Sequence, residues 1–371
     1  MKVRSAVESK LRQYLEEASQ FQLGLLPTES RHFRTAHLSQ LASEDLQSAI
    51  ALLKDIDVTA VRAINPHLAA IEDLCREIGK TLKSGHRIYL CGCGATGRLS
   101  VGLETLWRQE SIRLGKETFF DSVRGFIAGG DYALVRSIEN FEDHPEYGEQ
   151  MLRDLGFGGE DLLIATTEGG ETPFVIGATE FASRASQKPP YFLFCNPMDI
   201  LSQTVERSRR VIENPSIRKI SLPTGPMALT GSTRMQATTV LMLAVGSALF
   251  SALNESGDPQ ILIADFIRVL EDVDFSGLAP LIEFENEIYA RNEHCVHCTS
   301  NYGITLLADT TERTPTFSLR PFESSMESGA IPSWTYLIVP EAFDSKEAWV
   351  RVLGREPRAL GTRGGGGANG A

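Results

Sequence analysis

The sequence predicts an α/β fold built on a parallel sheet, and three observations carry that expectation. Five short apolar runs, at residues 87–91, 125–128, 162–166, 191–195 and 219–222, read as strands. Stretches of helical periodicity near 97–110, 131–142, 173–186 and 232–253 separate or follow them. Strands that alternate with helices form a parallel sheet with helices on both faces. Finally, three Gly-, Ser- and Thr-rich loops each open a helix, and ligands of such folds sit beyond the carboxyl ends of the strands.

The elements follow in order. Residues 1–59 read as a helical N-terminal segment with polar breaks. An amphipathic helix comes next, because Ile64, Leu68, Ile71, Leu74, Ile78 and Leu82 recur every three or four residues, until Lys83-Ser84-Gly85 ends it. The strand–helix alternation makes residues 60–260 one α/β domain with a five-stranded parallel sheet. After about residue 285 the pattern restarts: 302–308 (YGITLLA) reads as a sixth strand, 309–315 as a polar turn and 333–339 as a seventh strand. Residues 261–360 are therefore expected to be a linker and the start of a second α/β unit. The Gly-rich residues 361–371 cannot bury a core and are expected to be disordered.

Composition narrows the function. The 371 residues can bury one large core, or one domain and part of a second. With 36 basic against 48 acidic residues the net charge is -12, which argues against a non-specific nucleic-acid or anionic-membrane binder. An anionic metabolite is compatible with that charge, since a few oriented backbone N–H groups hold phosphate inside an acidic protein. The N-terminus lacks a signal-peptide core, and the apolar stretch 240–253, interrupted by Gly246 and Ser247, is too short to span a bilayer. Both point to a cytoplasmic protein without a membrane partner. Cys91, Cys93 and Cys195 sit in or beside apolar runs, and Cys75, Cys295 and Cys298 complete a set with no secreted disulfide framework. His294-Cys-Val-His-Cys298 packs potential metal ligands together but has no second cluster to complete a site. Strand alternation would also send them to opposite faces. No metal and no cofactor is expected, and no Gly-x-Ser-x-Gly elbow marks a hydrolase.

The chemistry is concentrated in the three loops. Gly92-Cys-Gly-Ala-Thr-Gly-Arg98 follows a strand and opens a helix; its glycines, including Gly94, let backbone N–H groups face a ligand, and Thr96 adds a hydroxyl. A nicotinamide site is the rival reading, but the acid after the next strand, Asp131, lies roughly 34 residues past Gly97 where ~20 is expected. Thr166-Thr-Glu-Gly-Gly-Glu-Thr-Pro173 places Thr167, Gly169 and Thr172 in a hydroxyl-rich nest suited to phosphate. Its Glu168 and Glu171 would have to point away from a phosphate or meet sugar hydroxyls, since like charges repel. In Gly225-Pro-Met-Ala-Leu-Thr-Gly-Ser-Thr-Arg234, Thr230, Ser232 and Thr233 gather at a helix start, more hydroxyls than a cap requires.

These loops, with Ile127-Ala-Gly-Gly130 and the stretch 139–143 between them, resemble the family of N-acetylmuramic acid 6-phosphate etherases and glucokinase regulatory proteins. The resemblance covers about residues 28–255, and 302–315 is similar to the junction into a second domain in the regulatory-protein branch. It implies a sugar isomerase (SIS) type α/β/α sandwich that binds a sugar phosphate. By similarity Thr96, Thr167 and Gly169 would meet the phosphate, and Glu139 and Glu142, at i and i+3 on one helix face, would stand near the sugar. It further implies pairing with a second copy or a second SIS domain, and a protein partner if the chain is a regulator.

Etherase chemistry needs two placed acid/base groups. Glu142 matches one, and Leu106 falls at the other, with Glu104 nearby on a different side of the helix. Thr96 replaces a family serine and Gln236 a family lysine. The sequence therefore favours a phosphosugar sensor or regulator of the regulatory-protein branch. A sugar-phosphate lyase of etherase type, or an aldose–ketose isomerase, is the alternative.

Overall fold

The computed structural model describes residues 22–135, 141–254, 257–310, 329 and 331–358, together with 8, 10–12, 14, 15 and 18. After three 3-10 turns between Leu23 and Thr35 come α1 (Leu38–Glu44), α2 (Leu46–Arg62) and α3 (Leu68–Lys83). The first α/β unit then runs β1 (Ile88–Gly92), α4 (Gly94–Arg113), β2 (Val123–Ile127), α5 (Pro145–Asp154), β3 (Leu162–Thr166), α6 (Pro173–Ala185) and β4 (Tyr191–Phe194). It continues with α7 (Met198–Thr204), α8 (Glu206–Glu213), β5 (Arg218–Ser221), α9 (Ala237–Leu253), α10 (Pro259–Asp272) and α11 (Ala279–Ala290). The chain ends, among the described residues, in β6 (Cys295–Cys298), α12 (Gly303–Thr310), β7 (Thr335–Ile338) and α13 (Ser345–Leu353).

All five predicted strands form, and they pair parallel in the order β2-β1-β3-β4-β5. Alternation along each strand divides the core in two. Ile88, Leu90, Leu162, Ile164 and Leu193 face one layer with α3 and α9. Tyr89, Cys91, Leu163, Ala165 and Phe192 face the other with Phe174 and Ile176 of α6. Because the chain lays β2 on one side of β1 and β3 on the other, the strand order reverses between β1 and β3. That reversal opens a crevice beyond their carboxyl ends.

Two glycines let α4 lie almost on the sheet. A Cβ at Gly97 would stand 2.3 Å from Ile127 Cγ1, and one at Gly125 would stand 2.2 Å from the Ser100 carbonyl oxygen. This close approach fixes where the N-terminus of α4 points. Glu104, in the middle of α4, is fully buried. It accepts hydrogen bonds from the Gly125 N–H (3.1 Å), Arg355 Nη2 (3.0 Å) and Arg358 Nη2 (2.7 Å). Arg355 also pairs with Asp131. Burial works against the Glu104 charge, but Arg355 and Arg358 outweigh it and hold the carboxyl below its usual range. The network straps residues 354–358 to the first unit, so Glu104 is committed to structure.

Several expectations are corrected. Residues 302–308 form helix α12 rather than a strand: Ile304 and Leu307, one turn apart, are the buried pair, packed with Val101 of α4. Short apolar runs do not distinguish a buried helix from a strand by periodicity alone. The strand at this point is the Cys/His run, Cys295–Cys298, which pairs parallel with β7. Where a helix is expected at 131–142, the described residues form a 3-10 turn, Asp131–Leu134, and a turn at 141–143. Glu142 lies in a turn before α5, whose first residue is Pro145. Helix α9 starts at Ala237, not 232, because Gln236 holds φ +52 and pins the preceding loop. Glu139, most of residues 1–21 and the Gly-rich 361–371 lie outside the described residues.

The two close approaches make a paired prediction. Gly125→Ala should destabilise the protein by about 1–3 kcal/mol through overpacking. Gly102→Ala, mid-helix with nothing within 4 Å of its new Cβ, should stabilise it by ~0.5–1 kcal/mol. Thermal unfolding of both variants beside the parent reads the contrast; equal melting temperatures would show that α4 does not need the contact.

Candidate functional site

The crevice at the strand reversal is a cleft of ≈ 390 Å³. Gly94, Gly169, Thr172, Ser232, Thr233 and Glu142 of the sequence-predicted site all line it. Each arrives from a different local device. Gly94 is the first residue of α4 and adopts φ +53, turning the chain out of β1 so that the helix N-terminus faces the cleft. Thr172 precedes Pro173, the first residue of α6, where a missing N–H costs no helical hydrogen bond. Ser232 and Thr233 belong to the loop after β5.

Thr96 and Thr167 stand behind the cleft wall. Thr96 Oγ1 accepts the Cys93 N–H (3.2 Å) and donates to the Cys93 carbonyl (2.9 Å), closing the first turn of α4. Thr167 Oγ1 lies 2.9 Å from Thr172 Oγ1 and accepts the Gly170 N–H at 3.3 Å, so it orients the Thr172 hydroxyl. Gln236, in place of the family lysine, braces the third loop: its Oε1 accepts the Ala228 N–H (2.7 Å) and its Nε2 donates to Pro226 O (3.0 Å).

Leu106 is elsewhere. It lies twelve residues along α4 from Gly94, ~18 Å at the α-helical rise. It lines a second cleft of ≈ 120 Å³ with Met242 of α9 and Ile304 of α12. A carboxylate at 106 would face that apolar cleft. The missing acid therefore says little about proton transfer in the larger one.

Arg98 lines both clefts. It donates to Ala133 O (2.8 Å), Leu134 O (3.2 Å) and Leu307 O (3.3 Å). Arg234, from the third loop, donates to Ala308 O and approaches Asp309 Oδ1 at 3.5 Å. The arginines of the first and third loops thus both hold the C-terminal turn of α12, where helix carbonyls want donors.

The cleft also gathers acids. Glu142 Oε2 lies 3.5 Å from Cys93 Sγ. Glu171 pairs with Arg207 of α8, whose Nη2 lies 3.3 Å from Glu171 Oε2. Burial pushes the Glu171 carboxyl up, Arg207 opposes that, and the nearby Glu29 and Glu142 add to the rise. Burial raises Glu29 as well. Glu168 is the most perturbed: burial pushes its carboxyl up to about 7, against hydrogen bonds that include those from Thr233 and Thr238. Both loop carboxylates thus line the cleft. Glu29 and Arg207 carried no local signal, because only the fold brings residues 29 and 207 to the second loop.

No group of three or more His, Cys, Asp or Glu side chains among the described residues is placed to hold a metal ion. No helix among the described residues is long and apolar enough to cross a membrane.

A five-stranded parallel sheet sandwiched by helices, with a hydroxyl-rich cleft at its order reversal, is an α/β fold of the SIS type. The family model for the glucokinase regulatory protein N-terminal SIS domain matches residues 70–183. N-acetylmuramic acid 6-phosphate etherase 1 of Bacillus licheniformis is 30% identical over 235 residues, 63% of this chain and 71% of that protein. The corresponding etherase of Klebsiella aerogenes is 27% identical over 282 residues, 76% of this chain and 85% of its own. This chain belongs to the N-acetylmuramic acid 6-phosphate etherase family. Among solved structures, tagatose-6-phosphate ketose/aldose isomerase from Escherichia coli aligns with a TM-score of 0.40 at 13% identity, covering 70% of this chain and 62% of that one.

Glu168 makes stability depend on pH with a definite sign. Below about pH 4.5 the carboxyl is protonated in both folded and unfolded chains and has no effect. Between about pH 4.5 and 7 the unfolded chain ionises first, so stability falls as pH rises, and the loss is complete above the folded pKa of about 7. Glu168→Gln removes that loss. The variant should gain on the order of 3 kcal/mol over the parent near pH 8 and nothing near pH 4. Denaturant unfolding of both proteins across that range checks it; a gain independent of pH would contradict it.

Proposed function

We propose that this chain binds a phosphorylated sugar in the cleft at the β1–β3 reversal and acts as a phosphosugar sensor. The observation that carries the reading is the convergence of all three loops on one cleft. Backbone N–H groups at the start of α4 and the hydroxyls of Thr172, Ser232 and Thr233 supply a neutral, pre-formed phosphate cradle. Membership of a family whose named relatives act on a sugar 6-phosphate supports a hexose or amino-sugar 6-phosphate as the ligand. A sensor is supported by the arginine clamps. The loops that would close on phosphate also hold the end of α12 through Arg98 and Arg234. Occupancy of the cleft would therefore be transmitted to α12, within the stretch 261–360 that the sequence reads as a linker and the start of a second α/β unit.

One observation favours a second reading, proton-transfer chemistry on the bound sugar. Glu142 and Glu168 both line the cleft, and a carboxyl near 7 can take or give a proton at neutral pH. Lactate release from N-acetylmuramic acid 6-phosphate would establish a lyase, and conversion of an aldose phosphate to its ketose an isomerase.

The same proposal places the protein in the cytosol, in keeping with six cysteines that are all free thiols. It includes pairing with a second copy, for which the exposed Ile261 and Val269 of α10 and Leu281 and Phe284 of α11 offer an apolar surface.

Calorimetry tests the binding reading. Glucose 6-phosphate and fructose 6-phosphate should bind at least about a hundredfold more tightly than the free sugars, because charge-assisted hydrogen bonds contribute ~1.5–3 kcal/mol each. Thr172→Val, which keeps the shape and loses the hydroxyl, should weaken that binding about tenfold. Equal affinity for free and phosphorylated sugars would overturn the reading.

A further inference from the structure

We propose that Arg355 and Arg358 are positioning residues of the cleft. From the far end of the described chain they hold the turn that forms one of its walls, so docking of residues 355–358 and binding of the ligand favour each other. The inference rests on the phosphosugar reading and adds a control on that site.

The wall in question follows β2. Ile127, Ala128 and Ala133 line the cleft. Between them Gly129 (φ +89) and Gly130 (φ +74) carry the chain into the 3-10 turn Asp131–Leu134. Two consecutive glycines leave a backbone many alternatives unless outside contacts select one. On the cleft side this turn presents alanines, so the polar contacts that fix it come from behind. Arg98 supplies one set, through the carbonyls of Ala133 and Leu134.

Residues 355–358 supply the other. Helix α13 ends at Gly354, whose φ of +68 turns the chain so that Arg355 reaches the buried middle of α4. Arg355 bridges two carboxylates. It bonds Glu104 through Nε (3.1 Å) and Nη2 (3.0 Å), and Asp131 through Nη1 (2.5 Å) and Nη2 (3.2 Å). Arg358 closes a ring on the same aspartate: its N–H donates to Asp131 Oδ2 (2.6 Å) and its carbonyl accepts the Asp131 N–H (3.1 Å). The Arg358 guanidinium donates to Glu104 Oε1 (2.7 Å) and to the Gly125 carbonyl of β2 (2.9 Å).

The Glu104 contacts alone would serve stability. The ring on Asp131 is the part that reaches the cleft wall. Asp131 is only 2% exposed, so losing these donors strands a buried carboxylate. With residues 355–358 released, the turn has to shift to bring Asp131 to water, and Ala128 and Ala133 shift with it. By linkage, whatever factor the docked segment adds to ligand affinity, bound ligand adds to docking of the segment.

The test pairs two measurements on the full chain, with glucose 6-phosphate and N-acetylmuramic acid 6-phosphate as probes. Asp131→Asn combined with Arg355→Gln removes one charge of each sign, and Glu104 keeps Arg358. Calorimetry should find that this double variant binds whichever probe the parent binds about tenfold more weakly, within the range that couplings between sites span. Arg355→Lys, which keeps a cation beside Asp131, should lose less. The second measurement needs only the parent. The side chains of Arg355 and Arg358 are 9% and 23% exposed, so tryptic cleavage after either requires release of the segment, and a saturating probe should slow it by a similar factor. Parent-like affinity in the folded double variant, or cleavage indifferent to bound probe, overturns the inference while leaving the phosphosugar reading intact. A parent that binds neither probe overturns that reading, and the inference with it.

Discussion

The close approach of α4 to the sheet is the constraint on which the rest depends. Gly97 and Gly125 bring the helix within backbone contact of β2, closer than any side chain would permit. Held there, the helix can aim its N-terminus only at the crevice where the strand order reverses. Buried in the same helix, Glu104 is bonded by the Gly125 N–H and by arginines from the far end of the described chain. One glycine-lined contact thus positions the N-terminal end of the helix and the buried network that ties down residues 355–358.

The division of labour in the cleft follows from charge. Most charged side chains there are acidic, so a phosphate must be held by neutral donors: helix N–H groups and hydroxyls, whose partial charges are fixed by the fold. The basic residues in the sequence motifs do something else. Arg98 and Arg234 both reach the C-terminal carbonyls of α12.

Much of the architecture was legible in the sequence because it is written in local pattern. The five strands carry continuous apolar runs as a buried parallel sheet demands, and α3 shows its face through Ile71, Leu74 and Ile78. The loop glycines and hydroxyls marked most of the cleft, with Gly94, Gly169, Thr172, Ser232 and Thr233 all lining it. What escaped is what depends on distance. YGITLLA at 302–308 could pack as either element until Val101 supplied a helical partner. Glu104 needed partners some 250 residues away. Leu106 resembled a lost catalytic position in alignment, and only the helix geometry shows it facing another cleft. The two glutamates of the second loop were visible as charges, but their burial was not.

The central claim is that the start of α4 and the loops bearing Thr172 and Ser232 hold the phosphate of a sugar ligand. A crystal structure of the protein soaked with glucose 6-phosphate tests it directly. The account predicts the phosphate within hydrogen-bond distance of backbone N–H groups at Gly94 and Ala95, with the ring toward Glu142 and Glu168. A sugar phosphate bound in the apolar cleft beside Leu106, or with its phosphate away from α4, would contradict it.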